Sequence, residues 1–236
     1  MLFLLLLLIY SIDFKYIAID GMTFDYTVNF PLSLVISRKT ILRYQLIFRF
    51  LLHLKYTESA LVGMWTEHTQ PCWRQRSNHR SFDQWRNRVC VLRARMLEFV
   101  RQVTGYVSEE VLELKSLELE EKIKKVQTVD QLLKYHVDFL DICLKECMLT
   151  NARLIERLQN IMKTIGTFTL YSNQLTKTAI EGSDEIEFAR RRGQDPSEVN
   201  VRLKKIWGEL GKFEHAFNKQ SKVSKIFTKT EVLILT

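Results

Sequence analysis

The stretch ILRYQLIFRFLLHL, residues 41–54, decides the architecture. Ten of its fourteen residues are apolar: Ile41, Leu42, Tyr44, Leu46, Ile47, Phe48, Phe50, Leu51, Leu52 and Leu54. A helix that apolar buries more than one face and belongs at the centre of a domain. Ser37 precedes it as a good N-cap, and the pattern can run through Leu61 and Trp65 until Pro71 ends it. Upstream, FDYTVNFPLSL (24–34) alternates aromatic and β-branched residues around Pro31, which predicts an extended or edge-strand segment.

Downstream the pattern stays helical. Residues 66–82 form a polar, basic connector, after which Leu92, Met96, Phe99, Val103 and Tyr106 recur on one helix face. The Glu- and Lys-rich stretch that follows carries Val111, Leu112, Leu114, Leu117, Leu119 and Ile123, which predict a half-buried helix. Thr128 or Asp130 can cap the next helix, whose face holds Leu132, His136, Phe139, Cys143 and Cys147. Thr150-Asn151 breaks and re-caps the chain. Leu154, Leu158, Ile161, Ile165 and Phe168 then mark a helix to about residue 178. A solvated loop is expected over 181–197, with Gly182, Gly193 and Pro196, and a last helix carries Ile206, Leu210, Phe213 and Phe217. The predicted fold is all-α, an elongated helical bundle with one short extended or edge-strand segment near residues 24–34.

Composition agrees. In 236 residues, 8 glycines and 3 prolines are too few for the turns of a loop-rich β-sandwich, and 46% hydrophobic content excludes low-complexity disorder. Four cysteines are too few for a disulfide-stapled secreted fold. Residues 1–20 open with the apolar run MLFLLLLLI, about half of what a membrane helix needs. No Lys or Arg precedes it and no small-x-small cleavage site follows. This atypical end is read as a fragment edge or gene-model start, residues 21–220 as the helical domain, and 221–236 as a divergent tail. A secreted or membrane-attached reading hangs on Leu2–Ile9 alone.

The sequence shows no phosphate-cradling glycine loop, no GxSxG elbow and no HExxH, so the expectation is a non-enzyme with no cofactor, metal or small-molecule substrate. Cys143 with Cys147, and His68 with Cys72, have a one-turn spacing that suits a metal, but zinc wants four ligands from two such pairs. Cys143 and Cys147 read as small core residues and His136 as a satisfied core histidine. The net charge of +8 permits an acidic partner. Eight arginines (74, 76, 80, 86, 88, 93, 95, 101) lie between residues 74 and 101 with Trp73, Phe82 and Trp85 among them. That mixture suits single-stranded nucleic acid, an acidic protein surface, or a plain solvated connector.

Three blocks in order, FDYTVNFPLSLVISRKTILRYQLIFRFLLHLKYTESAL..MW (24–65), RARMLEFVRQVTGY (93–106) and VDQLLKYHVDFLDICLKECMLTN (129–151), carry a resemblance. The chain resembles the C-terminal, gamma-tubulin-binding domain of the gamma-tubulin complex component family, and its FLD..LK.CMLTN core is most similar to the component 2 branch. Where the family usually has Trp ahead of Pro-Leu, this chain has Phe30. The resemblance implies a scaffold that binds gamma-tubulin and supports microtubule nucleation at organising centres and spindle poles in the cytoplasm. It also implies contacts with other gamma-tubulin complex components, mainly through a separate N-terminal half that the matched blocks do not include. GTP would belong to gamma-tubulin. On this reading neither nucleic acid nor membrane is a partner; a nucleic-acid-binding or generic protein-interaction module acting through 74–101 is the alternative.

The candidate gamma-tubulin contacts are Phe24, Asp25, Tyr26, Phe30, Pro31, Arg38, Arg43, Arg49 and Arg95. The aromatics are expected as anchors at an edge and the arginines as bidentate partners for carboxylates, with an internal ion pair the competing role for Arg49. Phe48, Leu52, Trp65, Met96 and Phe99 are expected in the core.

Overall fold

The computed structural model describes residues 22–69, 80–192, 201 and 208–221. They are helical apart from Met22–Ser37 and short turns, and no strand occurs among them. The helices are α1 (Arg38–His68), α2 (Arg80–Gly105), a π-helical stretch over Tyr106–Glu113, α3 (Leu114–Ile123), α4 (Val129–Glu146), α5 (Ala152–Arg191) and α6 (208–221). The chain divides into two compact units, one built from residues 1–56 and 101–158, the other from 57–100 and 159–236.

The first unit is organised by the stretch that opened the sequence. Leu46 and Ile47 of α1 pack with Val107 and Val111 of the π-helical stretch, with Leu140, Cys143 and Leu144 of α4, and with Cys147 just past its end. Helix α4 starts where its sequence says it should: the Thr128 hydroxyl accepts from the Gln131 amide, a cap worth about 1 kcal/mol. Its far end is closed by Met148, whose φ of 63° is left-handed, while the Leu149 amide reaches back to the Leu144 carbonyl at 2.9 Å. That reversal normally takes glycine; Met148 offsets the backbone strain by burying its side chain. Asn151 then starts α5, its Oδ1 accepting from the amides of Arg153 and Leu154.

Cys143 and Cys147 are core residues, as their helical spacing predicts. Burial, with Glu146 nearby, pushes the Cys143 thiol up to about 11 and, together with Cys143 itself, the Cys147 thiol up to about 12. His136 is buried on the same face and shares a 2.9 Å hydrogen bond with the Tyr44 hydroxyl. Burial, helped by the Arg43 charge and opposed by the Val35 backbone, holds the imidazole below its usual pKa.

In the second unit, Leu61 and Met64 of α1, Trp85, Val89, Leu92 and Met96 of α2, Ile161, Ile165 and Phe168 of α5, and Leu210 and Phe217 of α6 are buried. Phe99 meets Phe217 edge-on at 6.1 Å, and Phe213 packs between Phe168 and Tyr171. Arg88 pairs with Glu214, and Thr164 donates to Gln220 at 3.0 Å.

Four expectations change. The segment over 24–34, expected to be extended or an edge strand, forms no strand. Residues 22–29 have no regular structure, and Pro31, which has no N–H to offer a ladder, leads instead into a single 3-10 turn at Leu32–Leu34. The loop expected at 181–197 is helix as far as Arg191; one interior glycine, Gly182, costs only about 1 kcal/mol among Glu, Ala and Arg neighbours that favour helix. Trp65, expected in the core, is 48% exposed, and the Arg93 guanidinium lies 4.7 Å from its ring. Leu114, Leu117 and Ile123, counted toward a half-buried helix, are exposed.

Candidate partner-binding face

The candidate face is built where Met22–Leu34 runs onto the first turns of α1. Three contacts tie the segment down. The Phe24 ring meets Phe48 edge-on at 5.0 Å, the Phe24 carbonyl accepts from the Gln45 side-chain amide at 2.7 Å, and the Asp25 carboxylate pairs with the Arg38 guanidinium. Asp25 also accepts from the Tyr26 amide at 3.0 Å. The Arg38 hydrogen bond, then that amide, hold the Asp25 carboxyl below the usual carboxylate range. The Phe30–Pro31 peptide is cis. With the Phe24 ring set against Phe48, Tyr26 and Phe30 face solvent, 66% and 79% exposed, and Leu32 and Leu34 extend the apolar surface.

The remaining candidates divide. Arg38 is exposed at the edge of this face beside Asp25. Arg43 is mostly buried and pairs with Asp141 of α4 at 3.2 Å, so it braces the first unit. Arg49 is half-buried. Arg95 belongs to the second unit, where it donates to Asn218 Oδ1 at 2.6 Å. The structure therefore groups Phe24, Asp25, Tyr26, Phe30, Pro31 and Arg38. Gln45, one of four polar residues inside the most apolar stretch of α1, also holds the segment and is absent from the sequence candidates; its uncharged amide within that run is the available signal.

Among the described residues of the basic stretch 74–101, several arginines are engaged inside the fold. Arg86 pairs with Asp83, Arg88 with Glu214, and Arg93 donates to the Leu61 carbonyl while covering Trp65. Trp85 is buried. Arg74, Arg76 and Trp73 lie outside the described residues, as does Cys72. No group of three or more His, Cys, Asp or Glu among the described residues is placed to hold a metal ion. No helix among them is long and apolar enough to cross a membrane.

The model of the family described as gamma tubulin complex component C-terminal matches residues 6–230. The chain belongs to this family. Spindle pole body component alp4 of Schizosaccharomyces pombe is 40% identical over 169 residues, which cover 70% of this chain and 22% of that protein. Gamma-tubulin complex component 2 of Mus musculus is 35% identical over 160 residues, 68% of this chain and 17% of that protein. Gamma-tubulin complex component 3 of Homo sapiens is 25% identical over 203 residues, 85% of this chain and 22% of that protein. The chain thus spans about a fifth of the length of these relatives.

Proposed function

We propose that this chain is the gamma-tubulin-binding part of a scaffold subunit of the gamma-tubulin complex, acting with other components of that complex to support microtubule nucleation at organising centres such as spindle poles in the cytoplasm. The family match across residues 6–230 carries this reading. Met22–Leu34 supplies the grip. Tyr26 and Phe30 are aromatic anchors displayed from a segment already held by Phe48, Gln45 and Arg38, so little of their freedom is left to lose on contact. Aromatic anchors of this kind carry most of the free energy at protein interfaces.

Catalysis is no part of the proposal. Free tubulins that assemble into a seed lose several kcal/mol of translational and rotational freedom per association. A scaffold that already holds gamma-tubulins in register removes much of that barrier through effective concentration. One such chain orients one gamma-tubulin, and register comes from the assembly. The internal use of Arg86, Arg88, Arg93 and Arg95 weighs against the nucleic-acid alternative.

Binding of purified gamma-tubulin to the 236-residue chain tests the proposal. The chain captures gamma-tubulin, and the double replacement Tyr26→Ala, Phe30→Ala weakens capture about tenfold or more with an unchanged unfolding midpoint, since both side chains are exposed. Undiminished capture by the double variant would reject this face, and no capture by the parent chain would reject the function.

A further inference from the structure

The π-helical stretch Tyr106–Glu113 and helix α3 carry a surface that the proposed gamma-tubulin grip does not use. Its inner side is fixed. Val107 and Val111 are buried in the first unit, the Tyr106 hydroxyl donates to the Glu146 carbonyl at 3.3 Å, and Lys115 is tied to Glu118 and Glu146. Its outer side presents Leu114 and Leu117, each 53% exposed. They stand three residues apart and so are neighbours along one helix face. On the same face Glu110 and Glu113 lie one turn before them and Glu120 and Glu121 one turn after. All four glutamates are exposed, and none makes an ion pair among the described residues.

Two adjoining leucines inside a frame of four carboxylates have the form of a helix-docking ridge, with apolar anchors in the middle and a charged rim. The sign of the rim identifies the occupant. This chain carries a net charge of +8, so a basic peptide is repelled by its surface on average and drawn to an acidic island on it. We infer that the Glu110–Glu121 face is a docking site for a basic amphipathic helix contributed by another polypeptide. The occupant's leucine-type residues pack over Leu114 and Leu117, and its Lys or Arg side chains reach the four glutamates. Lys122, Lys124 and Lys125 end the acidic surface and set the limit of the footprint.

The test uses the full chain and a fluorescently labelled model peptide of leucine and lysine only, about 14 residues long and patterned as an amphipathic helix. Anisotropy at physiological salt should show saturable binding by this peptide, and its leucine–glutamate counterpart should bind at least about tenfold more weakly. L114S/L117S should weaken the Leu/Lys peptide about tenfold or more, with far-UV circular dichroism unchanged because both leucines are exposed. Replacing Glu110, Glu113, Glu120 and Glu121 by Gln should weaken it similarly and flatten its salt dependence. Absence of binding, equal binding of the Leu/Glu peptide, or insensitivity to either set of replacements would overturn the site. Each of these readouts is independent of gamma-tubulin capture.

Discussion

Leu140→Ala lowers the unfolding free energy by about 3 kcal/mol, measured by urea titration of the helical circular dichroism signal. Leu140 is fully buried and sits in the cluster that joins α1, the π-helical stretch and α4. Removing its branched end forfeits transfer free energy and leaves a cavity that Leu46, Ile47, Val107 and Val111 fill only in part. Leu114→Ala is the matched control: the same chemistry at an exposed site changes stability by less than about 0.5 kcal/mol. Equal effects at the two positions would contradict the burial of Leu140 and the exposure of Leu114.

Mild acid destabilises the fold through His68. Burial first, and the Arg93 charge second, hold its folded-state pKa down to about 4, against 6.5 for a free imidazole. Between those values the unfolded chain binds a proton that the folded chain refuses. Stability is therefore fully present above pH 6.5 and is lost as pH falls toward 4. Discounted for partial solvent screening, the loss is about 2 kcal/mol, and His136 is shifted in the same direction. Carboxylates titrate over part of this window too, so the comparison is with His68→Leu. Its stability profile from pH 7 to pH 4 should be flatter than the parent's by about that amount; parallel profiles would remove His68 as the cause.

Most of the fold was legible in the sequence because helix periodicity and caps are local signals. Leu154, Leu158, Ile161, Ile165 and Phe168 are all buried, and Thr128 and Asn151 cap as their residue types suggest. What failed depended on distance or on degree. Trp65 lies on the apolar pattern of α1, yet its ring is exposed under Arg93, a partner 28 positions away that no periodicity announces. Leu114 and Leu117 count toward a half-buried helix by type, but the π-helical stretch before them changes which residues share the phase of Val107 and Val111, and both are exposed. Gly182 looked like a stop and proved a tolerated interior glycine.

At the candidate face, Asp25, Tyr26, Phe30 and Arg38 were identifiable by residue type. The Asp25–Arg38 pair, the Gln45 tie to Phe24 and the inward use of Arg43 required the backbone to bring distant positions together. An arginine on an apolar helix can serve a partner or its own domain with the same side chain. Only the position of Asp141 decides between these for Arg43.

The two thiols shut inside the first unit act as a chemical clock for its opening. Cys143 and Cys147 are protonated at neutral pH and out of contact with water, so an alkylating reagent meets them only when α4 lifts away from its neighbours. Half-buried Cys90 of the second unit is the internal reference for reagent access. The rate at which Cys143 and Cys147 are labelled under native conditions therefore reports how tightly the platform beneath the proposed gripping segment stays closed.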